Sequence, residues 1–355
     1  MNQLLIRSDK GEYLPGQYVC GAVYLNILTP TEAHGVQLSF RGKESVCSEI
    51  HVEEQTINHQ VKQDYVDYCY IDLFVQNEPF AFGSYCFPFR LQLPHQIPGT
   101  FKASSKMPSR VWSASVIYQL HANIVGAETM SVSQDVVVTA VTPENIRDNH
   151  LTEDQIETFV PPGRFFEKMH VTVKLLQNYV KAGENLRFRM SFSKNCPTIT
   201  EIGIKLQQIL RLTVPNKSKK LDGSRMDQSS VILEDTVTTI RELVGILPPP
   251  GLQVLDNILV PLKTCDGCTV MPSVHGTFIQ CNYSLEVSLH FGRQVKTLTC
   301  PIPGLLPEDN SEWLAWRPLP WLQNAEVKLG NGPITPSEHL IESEAFARLP
   351  GFQDI

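Results

Sequence analysis

Short runs of alternating apolar and polar residues recur along most of the chain and predict β-strands. The clearest run is residues 184–193, in which Leu186, Phe188, Met190 and Phe192 alternate with polar residues. A period of two is typical of a strand with one buried and one solvated face. Gly, Pro and Asn separate these runs at intervals of roughly ten residues, and no helical period is evident in the bodies of the two halves. The pattern predicts an all-β fold built from antiparallel sandwiches.

The second half of the chain repeats the first. Four landmarks recur in the same order at a nearly constant offset: 166 residues from Tyr13 to Tyr179, 166 from Val36 to Ile202, 167 from Pro94 to Pro261 and 165 from Tyr118 to Tyr283. Self-similarity at a fixed spacing indicates a duplicated unit. Residues 1–142 and 164–303 are therefore predicted to be two tandem β-sandwiches.

The alternation also predicts where the strands lie. In the first copy they are expected near residues 2–8, 18–28, 34–50, 65–76, 84–93, 112–126 and 131–141. In the second copy they are expected near 167–176, 184–193, 199–214, 229–246, 256–262, 274–291 and 294–301. Residues 143–163 are polar, acidic and closed by Pro-Pro-Gly, which indicates a linker or hinge. The pattern stops after Pro301, which leaves residues 304–355 as a mostly irregular tail.

Charge is distributed unevenly along the chain. Lys and Arg number 9 against 13 Asp and Glu in residues 1–142, 1 against 5 in 143–163, 17 against 11 in 164–303, and 3 against 8 in 304–355. The net charge of −7 argues against nucleic acid as a partner. The second copy is basic, with a net charge of +6, whereas the tail carries −5.

The sequence predicts a cytoplasmic protein. Its first residues lack a basic stretch followed by an apolar run, so no export signal is expected. No segment approaches the roughly 18 consecutive apolar residues of a transmembrane helix. The nine cysteines, an odd number, are expected to be reduced thiols.

Motifs that carry out catalysis are missing. The sequence contains no Gly-x-x-x-x-Gly-Lys phosphate loop, no Gly-x-Ser-x-Gly elbow, no His-Glu-x-x-His pair and no Gly-x-Gly-x-x-Gly turn. Its ten histidines are dispersed. We therefore expect no catalytic residue, no cofactor and no metal, and we predict a non-enzymatic protein.

One pair of cysteines has the spacing of a metal motif. Cys265 and Cys268 form a Cys-Asp-Gly-Cys turn, but structural zinc requires four ligands and the sequence offers no second pair. A loop with two free thiols is the favoured interpretation, and a zinc site or a redox pair is the alternative.

The order of the motifs resembles the arrestin superfamily, and most closely its α-arrestins, also called arrestin-domain-containing proteins. The similarity covers roughly residues 1–303. The segments that carry it are YLPGQYVCGAVYL (13–25), HGVQLSFRGKESV (34–46), FPFRLQLPHQIPGTF (87–101), SVIYQLHANI (115–124), NYVKAGENLRFRMSF (178–192), ITEIGIKLQQIL (199–210) and MPSVHGTFIQCNYSLEVSLHFG (271–292). The resemblance implies two sandwiches joined by a hinge.

The resemblance also implies a function. Such proteins are adaptors that bind membrane-protein cargo or receptor tails, phosphorylated or not, and link them to ubiquitin ligases or coat proteins in trafficking or signalling. An adaptor of this kind would be recruited from the cytoplasm to the plasma membrane or endosomes. The alternative is a subunit of a retromer-type coat complex, which has the same fold. The Pro-Pro-x-Tyr motif with which many α-arrestins recruit ligases is absent from the tail.

Two groups of cations are candidate binding residues. Lys217, Lys219, Lys220 and Arg225 lie in one loop of the second copy. An ordinary solvated loop is the favoured interpretation, and the alternative is that these cations hold a phosphorylated cargo tail or an anionic lipid headgroup. Arg7 and Lys10 stand where, by the resemblance, arrestins use cations to engage receptor phosphates.

The tail contains an unusual group of tryptophans, Trp313, Trp316 and Trp321. Exposed indoles are costly, so this segment is expected either to pack on a sandwich, the favoured interpretation, or to engage a partner. Farther on, Thr335 and Glu338 form a capping box that predicts one short helix. Because the tail is acidic, it is expected to be attracted to the basic second domain and to mask the 217–225 loop.

Overall fold

The computed structural model describes residues 1–52, 55–107, 110–126, 130–139, 155–159, 169–177, 179–193, 198–215, 230–246, 253–263, 270–302 and 304–352. Within these residues the chain forms two sandwiches of antiparallel strands, followed by a tail. The apolar side chains of both sandwiches belong to one contiguous buried cluster.

The first domain has one small and one large sheet. Its strands are β1 (Gln3–Ser8), β2 (Glu12–Tyr13), β3 (Tyr18–Ile27), β4 (Gly35–Val52), β5 (Gln55–Val75), β6 (Gly83–Gln92), β7 (Phe101–Met107), β8 (Arg110–Val125) and β9 (Ser131–Val138). The small sheet has the order β1-β3-β6. The large sheet has the order β2-β9-β8-β4-β5, and β7 pairs with β8.

The second domain repeats this plan. Its strands are β10 (Gln155–Phe159), β11 (Met169–Leu175), β12 (Val180–Lys181), β13 (Asn185–Phe192), β14 (Glu201–Pro215), β15 (Ser230–Ile246), β16 (Val254–Pro261), β17 (Val274–His275), β18 (Ile279–Phe291) and β19 (Gln294–Ile302). One sheet has the order β10-β11-β13-β16, and the other has β15-β14-β18-β17 with β19 beside β18.

Strand order confirms the prediction of an all-β chain made of two copies of one unit. The order β1-β3-β6 in the first domain corresponds to β11-β13-β16 in the second, and β5-β4-β8-β9 corresponds to β15-β14-β18-β19. All of these neighbouring pairs are antiparallel. Strand β13 buries Leu186, Phe188, Met190 and Phe192, as its alternation predicts.

Tyr118 and Tyr283 have the same environment in the two domains, whereas Tyr13 and Tyr179 do not. Tyr118 and Tyr283 are both buried, and each hydroxyl donates to a main-chain carbonyl 2.7 Å away, at Pro98 and Met271 respectively. Tyr13 is buried, whereas Tyr179 is 43% exposed.

Among the strands of five or more residues, two were not expected from the sequence. Strand β7 has the sequence FKASSKM, which contains few apolar residues, and it pairs only with β8. Strand β10 lies inside the segment predicted to be a linker and forms an edge of the second domain by pairing with β11. The two strands have only three and two apolar residues respectively, too few for a clear period-two pattern. The segment 143–163 is therefore not a linker throughout.

The tail contains short elements joined by irregular chain. They are β20 (Leu305–Leu306), α1 (Ser311–Ala315), a 3₁₀ turn (Pro320–Asn324), β21 (Glu326–Val327), α2 (Glu338–Ile341) and α3 (Glu344–Ala347). Strand β20 pairs with β12 of the second domain, so the chain leaves that domain only after Leu306. Strand β21 runs parallel to β6 and extends the small sheet of the first domain.

The prediction of one tail helix that begins at Thr335 is wrong, because the helix begins later and is divided into two. Ser337, rather than Thr335, is the N-cap of α2, because the amide of Thr335 closes a turn by donating to Gly332. A second N-cap at Ser343 separates α2 from α3. This break allows Ile341 and Phe346 both to be buried.

The tail covers the outer face of the small sheet of the first domain. Outward-facing side chains of β3 and β6 form a second apolar cluster with tail residues: Cys20, Ala22, Tyr24, Cys86, Leu322, Ala325, Ile341, Phe346, Leu349 and Phe352. The Tyr24 hydroxyl donates to the carbonyl of Pro350 at 2.9 Å. The tail is therefore held by its own small core and by main-chain pairing.

The expectation that the tail docks on the second domain is wrong. The outward positions of β3 are Cys20, Ala22 and Tyr24, whereas β13 presents Arg187 and Arg189 to solvent. Burial of a large apolar side chain is worth about 1.5–3 kcal/mol. Attraction between exposed net charges is screened beyond about 10 Å in ordinary salt. Burial of apolar side chains on the first domain therefore contributes more to docking of the tail than attraction to the basic second domain.

Replacing Phe346 by Ala should release the tail from the first domain. The side chain is 1% exposed and lies in the cluster that joins the tail to β3 and β6, and removal of a buried Phe costs about 3–5 kcal/mol. Burial raises the pKa of the Cys20 thiol to about 11 and also raises that of Cys86. Both thiols should therefore be inert to a thiol reagent at pH 8 in the native chain and reactive in Phe346→Ala.

The matched control is Phe82→Ala, because Phe82 is 67% exposed. The exposed Cys69 serves as an internal reference for reagent activity. Equal labelling of Cys20 and Cys86 in the two variants would contradict the assigned docking.

Candidate functional site

A cavity of about 880 Å³ lies where the first domain, the second domain and the tail meet. Its walls include Arg7 and residues 9–14 of the first domain, Tyr179 and Lys181 of the second, and Trp313, Trp316 and Arg348 of the tail. Four cationic side chains (Arg7, Lys10, Lys181 and Arg348) and two acidic ones (Asp9 and Glu12) line it, which leaves a net charge of +2. Its size is in the range of sites that hold small molecules or peptide segments.

Arg7 on β1 lies between two tail tryptophans. Its guanidinium carbon is 4.0 Å from the Trp313 ring centroid and 4.4 Å from that of Trp316, within range for cation–π attraction. Arg7 Nη2 donates to the carbonyl of Trp313 at 3.0 Å, and Trp313 Nε1 donates to the carbonyl of Ser8 at 3.1 Å. Burial lowers the pKa of Arg7 to about 10, so the group remains cationic at neutral pH.

Asp9 anchors the turn that carries Lys10. Its Oδ1 accepts from the Tyr13 hydroxyl at 2.6 Å and from the amide of Cys20 at 3.2 Å. Burial raises the pKa of the Asp9 carboxyl, and burial together with the Asp9 charge raises the pKa of Tyr13. The Lys10 Nζ is 5.9 Å from the Tyr13 ring centroid. This network fixes the direction of the chain between Arg7 and Lys10.

Lys181 joins all three parts of the chain at the cavity wall. Its Nζ donates to Asp309 of the tail and lies 3.6 Å from Oε1 of Glu12 in the first domain. The bond to Asp309 raises the pKa of Lys181. The other carboxylate oxygen of Glu12 is buried and has no hydrogen-bond partner among the described residues.

The structure brings some of the predicted binding residues together. Arg7, Lys10, Trp313 and Trp316 all line the cavity. Trp321 lies apart from it and packs edge-on against Tyr24, with ring centroids 6.5 Å apart. The cations Lys217, Lys219, Lys220 and Arg225 lie outside the described residues, as do Cys265 and Cys268. Within the described part of the chain, no group of three or more His, Cys, Asp or Glu could hold a metal ion.

Sequence reasoning missed Lys181 and Arg348. Each is a single cation with no other cation beside it in the sequence, and each reaches the cavity only through the docking of one domain or the tail on another. The composition of β3 was the one usable signal for the tail contact. Its outward positions carry Cys, Ala and Tyr, where β13 carries Arg.

Comparisons with known proteins agree with this architecture. The sequence profile described as "Arrestin (or S-antigen), N-terminal domain" matches residues 4–147, and the profile for the arrestin C-terminal domain matches residues 166–307. The chain belongs to the arrestin family. Arrestins are generally non-enzymatic adaptors. No helix among the described residues is long and apolar enough to cross a membrane.

A relative of this arrestin chain is the Arrestin domain-containing protein A of Dictyostelium discoideum. The two are 23% identical over 203 residues, which is 53% of this chain and 34% of the relative. The matched part therefore spans about a third of the relative's length. Its name agrees with the predicted likeness to arrestin-domain-containing proteins.

Replacing Asp9 by Asn should alter how stability depends on pH. Because the folded-state pKa of Asp9 is raised above its ordinary value of 3.8, the folded chain holds this proton more tightly than the unfolded chain. The contribution of the carboxyl to stability is therefore greatest at low pH and declines as pH rises through the raised pKa. Asn retains the Oδ1 acceptor and does not ionise.

The melting temperature of Asp9→Asn minus that of the native chain should therefore become more positive between pH 4 and pH 7. Asp135→Asn is the control, since Asp135 is exposed on β9. A difference for Asp9→Asn that stays constant or shrinks with rising pH would show that Asp9 carries no burial penalty.

Proposed function

We propose that this arrestin-family protein is a non-enzymatic adaptor that binds acidic, phosphorylated segments of membrane-protein cargo or receptors. The cation-lined cavity beside the docked tail is the observation that carries the proposal. In the cell the adaptor would move from the cytoplasm to the plasma membrane or endosomes. There it would link cargo to ubiquitin ligases, coat proteins or signalling proteins.

Chemistry at the cavity favours an anionic ligand. The described partners of Arg7 are two indole rings and a carbonyl, none of which neutralises its charge. The Lys10 ammonium faces the Tyr13 ring on the same turn. A phosphate group offers several acceptor oxygens with about 1.5–2 negative charges, so it would engage these cations through charge-assisted hydrogen bonds.

The tail would control access to Arg7. Trp313 and Trp316 cover the guanidinium while the tail is docked. A ligand that competes for Arg7 must therefore displace these rings, and each cation–π contact contributes about 0.5–2 kcal/mol to holding them in place. The basic loop with Lys217, Lys219, Lys220 and Arg225 would provide a second anionic contact, to cargo or to an anionic lipid surface.

Binding of a phosphopeptide tests both parts of the proposal. The probe is a fluorescent peptide with two phosphoserines and otherwise uncharged residues, and its unphosphorylated form is the negative control. Lys10→Ala should weaken binding about tenfold, because it removes one charge-assisted bond. The double variant Trp313→Ala, Trp316→Ala should bind about tenfold more tightly, because Arg7 is uncovered.

Lys102→Ala is the matched control, since Lys102 is exposed on β7 and is not among the residues that line the cavity. Equal affinity for the two peptide forms would reject phosphate recognition. Unchanged affinity in the double tryptophan variant would reject masking by the tail and leave the adaptor proposal to stand on Lys10 alone.

A further inference from the structure

Glu44 of the first domain places a fully buried carboxylate against the second domain. It lies on β4 and is 0% exposed. Its Oε1 accepts from the amides of Phe278 at 2.9 Å and Ile279 at 2.7 Å. Its Oε2 accepts from the amide of Thr277 at 2.9 Å and from the Tyr65 hydroxyl. Every acceptor position of the carboxylate is therefore used.

The three amides come from one turn of the second domain, between β17 and β18. Successive main-chain N–H groups that point into one concavity form an anion-binding site. Gly276 makes room for the anion, since a Cβ at this position would lie 2.5 Å from Oε1 of Glu44. The turn is thus shaped around a carboxylate.

We propose that the 276–279 turn is an anion-binding site of the second domain and that Glu44 is its internal ligand. The class of ligand is a carboxylate, because two oxygens each receive two donors. This inference goes beyond adaptor function and does not depend on the cavity at Arg7. It assigns to Glu44 the role of a positioning residue that sets the orientation of one domain on the other.

The surroundings of the site make this contact stronger than the Lys181–Glu12 contact between the domains. Charge-assisted bonds gain strength where water is excluded, and Glu44 is completely buried. The Lys181–Glu12 pair at the cavity has side chains 30% and 38% exposed and is screened by solvent. Tyr65 on β5 reinforces the site by also lying 2.9 Å from Thr277 Oγ1.

Chemical rescue tests the assignment directly. Glu44→Ala removes the two terminal carbons and both oxygens of the side chain, a fragment with the size of acetate. Hydrogen exchange at the amides of Thr277, Phe278 and Ile279 should be about tenfold faster or more in this variant, because their acceptor is lost. Added acetate should restore protection of these three amides, whereas acetamide, which has a similar shape and no charge, should not.

Glu49→Ala is the matched control, since Glu49 is exposed on the same strand. Two further variants keep the test decisive if Glu44→Ala folds poorly. Glu44→Gln retains the shape but turns an NH₂ toward the amide donors, and Gly276→Ala retains Glu44 but occupies its place; both should accelerate exchange without rescue. Exchange unchanged in all three variants, or equal effects of acetate and acetamide, would overturn the proposal.

Discussion

Packing of the tail on the outer face of β3 and β6 is the interaction on which the rest of the arrangement depends. It buries Cys20, Ala22 and Tyr24, which would otherwise form an exposed apolar face on the small sheet. The same contact brings Trp313 over Arg7 and Arg348 to the wall of the cavity. Fold and candidate site are therefore coupled, because the tail that completes the first domain also covers Arg7 at the candidate site.

The bodies of the two domains could be predicted from the sequence because central strands obey a local rule. A strand such as β13 has one face on the core and the other in solvent, so its residues alternate between apolar and polar. Strand β3 departs from that rule because both of its faces are buried. Its apolar outward residues were visible in the sequence, but net charge was a poor guide to what covers them, since apolar burial outweighs attraction between exposed charges.

The candidate site was only partly predictable, because several of its residues meet through contacts between segments that are distant in the sequence. Arg7 and Lys10 were found through resemblance, because they stand where arrestins are expected to use cations to engage receptor phosphates. Lys181 and Arg348 reach the same cavity from distant segments, and Glu44 meets its partners across 233 residues of sequence. No local pattern records such contacts, since the turn that binds Glu44 is an ordinary Gly-containing turn until the domains dock. The mutual orientation of the two similar sandwiches therefore depends on a few buried polar groups. Access to the cavity depends on the apolar contact between the tail and the first domain.

The central claim is that apolar burial, rather than charge, holds the tail on the first domain. Salt dependence of amide exchange at Lys328 and Arg90 tests it most directly, because these amides donate across the contact to Cys86 and Ile334 respectively. The account predicts that their protection stays constant or increases as salt rises from about 0.05 M to 1 M, since salt screens charges and does not weaken apolar contacts. A progressive loss of protection over this range would contradict it.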